Sequence, residues 1–427
     1  MTIASLPLDS AVRKAGWRLL PFLMLMYVMA FLDRANVGFA KQSFQTDTGI
    51  GDAAFAFGAG VFFIGYALLE VPSNLILARV GARAWLCRIM VSWGVVATAM
   101  MFATTETSFS VLRFLLGATE TGFFPGIILY VTYWFPERAR GRAIGIFYFA
   151  IPVSLTFGSV LSGWLLDLDG LGGLHGWKWM FMVQGLLTVA VGVWAYFWLD
   201  DRPAAATWLS ADEKRALQEE LDREDQAKTA HGAAVSLRSA FNPTVLGLTL
   251  VFFLVQIAVY GLIFSFPSII SQMLGRKMGL TVGLVAAVPW AIAIVAPYFI
   301  TQWSDNRGVR KPLIVAMYLA LGISLALSTW AAPAWGFAAL CAAAIGYFSA
   351  TPILWTHITT QLRGTAAAGG IALINSVGNL GGFVAPNLKS WSEATSGQPA
   401  VGMAVMGATA LLSAIVLALL GERSRGG

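Results

Sequence analysis

The sequence predicts an all-α polytopic membrane protein with twelve transmembrane helices in two six-helix halves. Three observations carry that expectation. Of the 427 residues, 57% are hydrophobic and 12% charged, with mean hydropathy +0.71, whereas a soluble domain carries about 25% charged residues. Apolar segments recur at about 17–40, 54–78, 84–104, 108–132, 143–166, 179–199, 243–270, 280–303, 312–331, 334–355, 365–388 and 400–420, each near the ~20 residues a helix needs to cross a bilayer. A single long polar run, Asp200 to Phe241, separates the sixth from the seventh. The chain therefore divides into an N-terminal half (1–200), a linker (201–241) and a C-terminal half (242–427).

The cations give the orientation. The amino terminus, the loops after even-numbered helices and the carboxyl terminus hold 21 Lys and Arg, and the opposite loops hold five: Lys41, Lys178, Arg276, Lys277 and Lys389. By the positive-inside rule both termini are expected in the cytoplasm. The formal charge of +6 then reports topology, and no nucleic-acid partner is expected. Cys87 and Cys341 both lie in apolar segments, which excludes a disulfide framework and a cysteine-based metal site. No cleavable leader is read in the first fourteen residues.

Helix one carries Asp33 and Arg34 within an apolar run. An ionised side chain at a helix centre costs roughly 2.5–3.5 kcal/mol on insertion scales, so such residues face protein or a wet cavity. Helix two ends in Glu70-Val-Pro-Ser-Asn74, one turn between the two polar residues, as suits a gate, an inter-helix clamp or a substrate contact. Helix four carries Arg113 and Glu120, seven residues apart and so on nearly one face, roughly 10 Å along the axis. Two cations and two acids can neutralise each other as a static lock. Alternatively an arginine binds an anion while a carboxylate exchanges a proton, and the opposite charges at 33 and 34 must point in different directions. Tyr27 and Tyr66 either line a cavity or pack.

Ser210-Ala-Asp-Glu213 is a capping-box pattern opening a mixed-charge stretch to Ala227, read as a solvated linker helix or a partner-binding one. Helix seven has Gln256 and Tyr260 one turn apart. Helix ten ends near Trp355, Thr356 and His357. Helix eleven has Asn375 and Asn379 at i, i+4 among Gly378, Gly381 and Gly382, so the asparagines bond a ligand or another helix, while the glycines permit close approach or flexing. The loops 78–83 and 305–310 place Gly81/Arg83 and Gly308/Arg310 in register, the trace of a duplicated scaffold. No P-loop, HExxH, GxSxG or GxGxxG signature is present. The chain is not expected to be an enzyme, and no cofactor or metal is expected. An ion gradient is left as the energy source.

Four blocks in order, FLDRANVGFA (31–40), GYALLEVPSNLILARVGARAWLCRIMVSWG (65–94), RFLLGATETGFFPGIILYVTYWFP (113–136) and GTAAAGGIALINSVGNLGGFVAPNL (364–388), resemble the major facilitator superfamily and within it the anion:cation symporter family. The GFFPG at 122–126 is similar to tartrate, phthalate and hydroxyphenylacetate permeases. Departures from the family pattern are Ala78 where an Asp is general, Gln184 where Glu is common, and Thr356-His357-Ile358 in helix ten. Helix five has Pro152 without the glycine pattern of drug:proton antiporters.

The resemblance implies import of a small organic anion in symport with protons, by alternating access, in the bacterial inner membrane. Its partners would be the anion, protons and the lipid bilayer. The proton-coupling acids would be Asp33 and Glu120. Arg34 and Arg113 would bind substrate, joined by Tyr66, Gln256, Tyr260, Asn375 and Asn379, with Glu70, Asn74, Arg83, Asp305 and Arg310 at the gates. A facilitative uniporter or exporter, or a membrane sensor without transport, are the alternatives.

Overall fold

The computed structural model describes residues 5–230, 242–361 and 365–421. The expected cations Arg238, Arg363, Arg423 and Arg425 lie outside them. Sixteen α-helices fall among the described residues. In the N-terminal half these are α1 (Ser5–Thr48), α2 (Asp52–Val80), α3 (Ala82–Ala99), α4 (Glu106–Glu120), α5 (Phe123–Trp134), α6 (Glu137–Tyr148), α7 (Ala150–Leu166) and α8 (Gly176–Trp198). The linker contributes α9 (Ala211–Ala230). The C-terminal half has α10 (Pro243–Leu274), α11 (Leu280–Arg307), α12 (Lys311–Trp330), α13 (Pro333–Gln361), α14 (Thr365–Asn379), α15 (Gly381–Ser396) and α16 (Pro399–Leu419). Eleven spans among the described residues are long and apolar enough to cross a membrane. The pair α14 and α15 supplies the twelfth crossing.

Three spans expected as single helices are broken, each where the sequence carries Gly or Pro. Between α4 and α5, Thr121 is extended and Gly122 sits at φ +80°, a left-handed conformation costly for other residues. Between α6 and α7, Phe149 ends the i→i−4 ladder ahead of Pro152, whose missing N–H is harmless in a first turn. Between α14 and α15, Leu380 is flanked by close-packed glycines. A methyl on Gly381 would meet the Phe253 carbonyl oxygen at 2.7 Å, so α15 lies directly against α10. By contrast α1, α2 and α10 run unbroken through Pro21, Pro72 and Pro267. Gly81 and Gly308, in the two equivalent turns, both have positive φ, +98° and +65°.

Because the helices alternate in direction, one end of the bundle carries α9, the start of α1 and the end of α16. At the opposite, far end the halves close on each other through small residues. A methyl on Gly163 would lie 2.5 Å from the Gly279 carbonyl oxygen, and one on Gly38 2.7 Å from that of Phe264. Gly283 is equally tight on the Ser159 carbonyl. Asp167, just after α7, accepts the Leu280 N–H at 2.9 Å, completing the start of α11 across the interface. Such contacts bring backbones close where no hydrophobic force favours helix association in lipid.

The linker helix docks on the N-terminal half. Glu213 accepts from Lys14 Nζ and Ser10 Oγ of α1. Glu224 accepts the Glu137 N–H at 2.7 Å and pairs with Arg140 at 3.2 Å, capping α6, whose Pro136 offers no side-chain cap. The capping box at 210–213 is formed, with bonds of 2.8 and 3.3 Å.

Candidate functional site

The four charges expected inside the N-terminal half are all buried there. Asp33 and Arg34 diverge, as the ~100° rotation per helical residue requires. Asp33 turns toward α3 and α8, where it accepts from Trp93 Nε1 at 2.5 Å and Thr188 Oγ1 at 3.3 Å. Asn36, one turn on, donates to Asp33 at 3.4 Å and to Gln184 Oε1 at 2.9 Å. Gln184 donates in turn to Ser162 Oγ at 2.9 Å. The Asp33 carboxylate is thus held by neutral donors, away from the cavity described below.

Arg34 turns toward α4, and its Nη2 meets Glu120 Oε1 at 2.5 Å. Its guanidinium also lies 5.0–5.5 Å from the rings of Phe31, Phe62 and Tyr66. Glu120 is the last residue of α4, so the negative end of that helix dipole adds to the field on Arg34. The break after it is pinned to α2, with Thr121 Oγ1 donating to Tyr66 O at 2.7 Å and Ser73 Oγ to Thr121 O at 3.0 Å. Arg113, on the same face of α4, donates to Ala59 O at 3.1 Å and lies 5.1 Å from the Phe62 ring.

These charges are incompletely paired. Arg34 Nε, Glu120 Oε2, and Nε and Nη1 of Arg113 are buried without a hydrogen-bond partner among the described residues. Each such atom costs about 1–3 kcal/mol, more on a charged group, which a lock built for stability would avoid.

Between the halves lies a cavity of about 440 Å³. It reaches the linker end, where Gly141, Asp305 and Thr356 are exposed on its wall, and it is shut from the far end by the glycine contacts above. Arg34 is the one cation among its lining residues. Tyr66, Gln256, Tyr260, Asn375 and Asn379 line it as well, and so does Tyr27. Asp33, Arg113 and Glu120 do not. Arg34 links the cavity to Glu120.

Away from Asp305 at the mouth, the C-terminal wall is neutral and ordered by a chain of hydrogen bonds. Tyr347 Oη donates to Gln256 Oε1 at 2.9 Å, Gln256 Nε2 to Asn379 Oδ1 at 3.3 Å, and Asn379 Nδ2 to Asn375 Oδ1 at 3.4 Å. Tyr347 was not among the residues the sequence singled out. Its signal is the stripe Tyr347, Thr351, Trp355 at i, i+4, i+8 in an apolar helix, all three on the cavity wall.

At the expected gates, Glu70 is buried and accepts from Ser376 Oγ of the other half at 3.1 Å. The side chain of Asn74 lies outside the described residues. Arg83 is held by its own half and the first linker residue, its N–H donating to Asp201 at 2.8 Å and its Nε to Tyr196 O at 2.5 Å. Asp305 and Arg310 pair with each other at 3.4 Å. His357 is buried on α13, off the cavity wall.

Comparison with known proteins places this architecture. Residues 23–386 match the family model described as Major Facilitator Superfamily. The inner membrane transport protein RhmT of Escherichia coli is 43% identical over 410 residues, covering 96% of this chain and 95% of that protein. A putative tartrate transporter of Agrobacterium vitis is 42% identical, covering 96% and 94%. Among solved structures the xylose transporter XylE of E. coli superposes with a TM-score of 0.76 at 14% identity, covering 97% and 99%.

Proposed function

The chain belongs to the Major Facilitator Superfamily and is a multi-pass membrane transporter, not an enzyme, and from that premise we propose that it imports a small organic anion in symport with protons. The observation that carries the reading is the Arg34–Glu120 pair, a cation on the cavity wall whose acid partner sits wholly behind it. The membrane is the bacterial inner membrane, with both termini and α9 in the cytoplasm, so the present conformation faces inward. The name of the Agrobacterium vitis relative, a putative tartrate transporter, favours an organic acid as cargo.

The cycle follows from charge balance. While Glu120 is ionised it holds Arg34; a proton on Glu120 releases the guanidinium to take a carboxylate, with the total charge of the site unchanged. Asp33, in its cage of neutral donors, is the second acid able to load a proton. Arg113, off the wall in this conformation, serves as their fixed counter-charge. Glu70 and Ser376 bridge the halves beside the open mouth, and Asp305 and Arg310 stand at its rim as the inner gate, with Arg83 bracing the matching turn of the other half.

The reading is tested by proton uptake on binding. Purified protein in weakly buffered detergent solution with a pH indicator, mixed with tartrate, phthalate, hydroxyphenylacetate or a sugar acid, takes up about one proton per anion bound. Glu120→Gln, with binding verified by thermal shift, takes up none. Anion binding by the wild type with no proton uptake contradicts the coupling.

A further inference from the structure

We infer that the linker end of α1 carries a binding site for the phosphate of an anionic phospholipid, built from Arg13, Lys14 and Arg18 beside Trp17, Trp198 and Trp208. The inference rests on the orientation in the functional reading above, which sets this end at the cytoplasmic leaflet, and not on its proton coupling. At 44 residues, α1 is about 66 Å long, twice the ~30 Å hydrocarbon core. Its first turns therefore stand outside the core. Arg13, Lys14, Trp17 and Arg18 are spaced i, i+1, i+4 and i+5 and so share one side of the helix. They line an open hollow together with Trp198, the last residue of α8, and Trp208 of the linker.

The cations of this hollow are not balanced by the protein. Lys14 pairs with Glu213 at 2.8 Å, whereas Arg13 and Arg18 have no acid within ion-pair distance among the described residues. Asp200 stands at the edge of the Trp208 ring, accepting from its Nε1 at 2.9 Å, and forms no ion pair with Arg18. The Arg18 guanidinium lies 4.2 Å from the Trp198 ring centre and 5.4 Å from that of Trp208, contacts that hold its position through the ring faces. Its Nε is buried without a hydrogen-bond partner, which is unfavourable for the fold. Both Nη groups are unbonded within the described residues and not shut in, a fork of donors suited to two phosphate oxygens. The rings around them point to a phosphate with hydrocarbon beside it. Trp17 is 80% exposed at the start of the first apolar span, where tryptophan settles at headgroup level. A soluble phosphate uses the cations alone, whereas an anionic phospholipid engages the cations with its headgroup and covers the indoles with its glycerol and chains.

The test titrates a short-chain phosphatidylglycerol, a phosphatidylcholine of the same chain length, or inorganic phosphate into the full-length protein in neutral detergent and follows the thermal midpoint. Phosphatidylglycerol is expected to raise the midpoint saturably, and the other two to leave it unchanged. Arg18→Gln should raise the apparent Kd at least about tenfold, the worth of one charge-assisted hydrogen bond, and Arg13→Gln about fivefold. Arg88→Gln, which removes an exposed cation beside Trp85 but outside the hollow, should not change it. If Arg18→Gln does not fold, Arg13→Glu, a reversal of charge at an exposed position, should weaken the lipid more than Arg13→Gln does. An equal shift with inorganic phosphate, or with phosphatidylcholine, overturns the assignment to an anionic lipid. Unchanged affinity in the Arg13 and Arg18 variants, or an equal loss in Arg88→Gln, overturns the site. None of these readouts involves transport, so anion binding without proton uptake overturns the proton coupling proposed above and leaves this inference standing.

Discussion

The two halves of the bundle share a topology and divide the chemistry between them. The N-terminal half buries Asp33, Arg34, Arg113 and Glu120, and the facing wall of the C-terminal half offers Gln256, Tyr260, Tyr347, Asn375 and Asn379, all neutral. Charge in a membrane interior is expensive and long-ranged, so confining it to one half lets a single proton change the state of the site. Neutral donors are cheap to keep and directional, which suits them to measuring the shape of a substrate. On the proposed function, the contrast assigns coupling and selectivity to different helices that can be altered separately.

Arg34→Gln is the most damaging change for that division. It leaves Glu120 buried without its partner, so uptake should fall at least ~100-fold, and stability by about 3–5 kcal/mol if the acid stays ionised. Adding Glu120→Gln should restore the thermal midpoint but not uptake. Next, Gln256→Leu on the neutral wall should raise KM roughly 5- to 30-fold, the worth of one or two hydrogen bonds, with the number of protons per anion unchanged. A changed proton count in that variant would break the comparison.

The smallest effect lies outside the membrane. Lys14 beside Glu213, with the Ser210 N–H, holds that carboxyl down to about 2, below the usual value near 4.3. A depressed acid stabilises docking above its ordinary value, and the benefit is lost as pH falls from about 4.3 toward 2. The protection of the α9 amides against hydrogen exchange, relative to the intrinsic rate at each pH, should therefore fall over that interval, and Glu213→Gln should abolish the dependence while leaving neutral-pH transport intact.

Much of this arrangement was legible in the sequence because its signals are one-dimensional. Apolar length announced the spans, and the seven-residue spacing of Arg113 and Glu120 their common face. The divergence of Asp33 and Arg34 follows from helix geometry alone. What the sequence could not rank was depth behind the cavity wall. Arg113 and Arg34 look equivalent as letters, yet only Arg34 reaches the cavity, because Arg113 is turned onto the Ala59 carbonyl. The helix break beside Glu120 was written in Thr121-Gly122 and Pro125, a left-handed glycine followed by a first-turn proline, but apolar periodicity on either side concealed it. Tyr347 was missed because aromatic residues in spans usually pack, and only its partner across the bundle distinguishes it.

The central claim is that Glu120 converts a proton gradient into movement of an anion held by Arg34. Its most direct test is uptake of a labelled organic acid into proteoliposomes with an acidic outside, comparing wild type with Glu120→Gln. The wild type should accumulate the acid above its external concentration. The variant should exchange labelled for unlabelled acid across the membrane yet accumulate none. Gradient-driven accumulation by Glu120→Gln equal to that of the wild type would contradict the account.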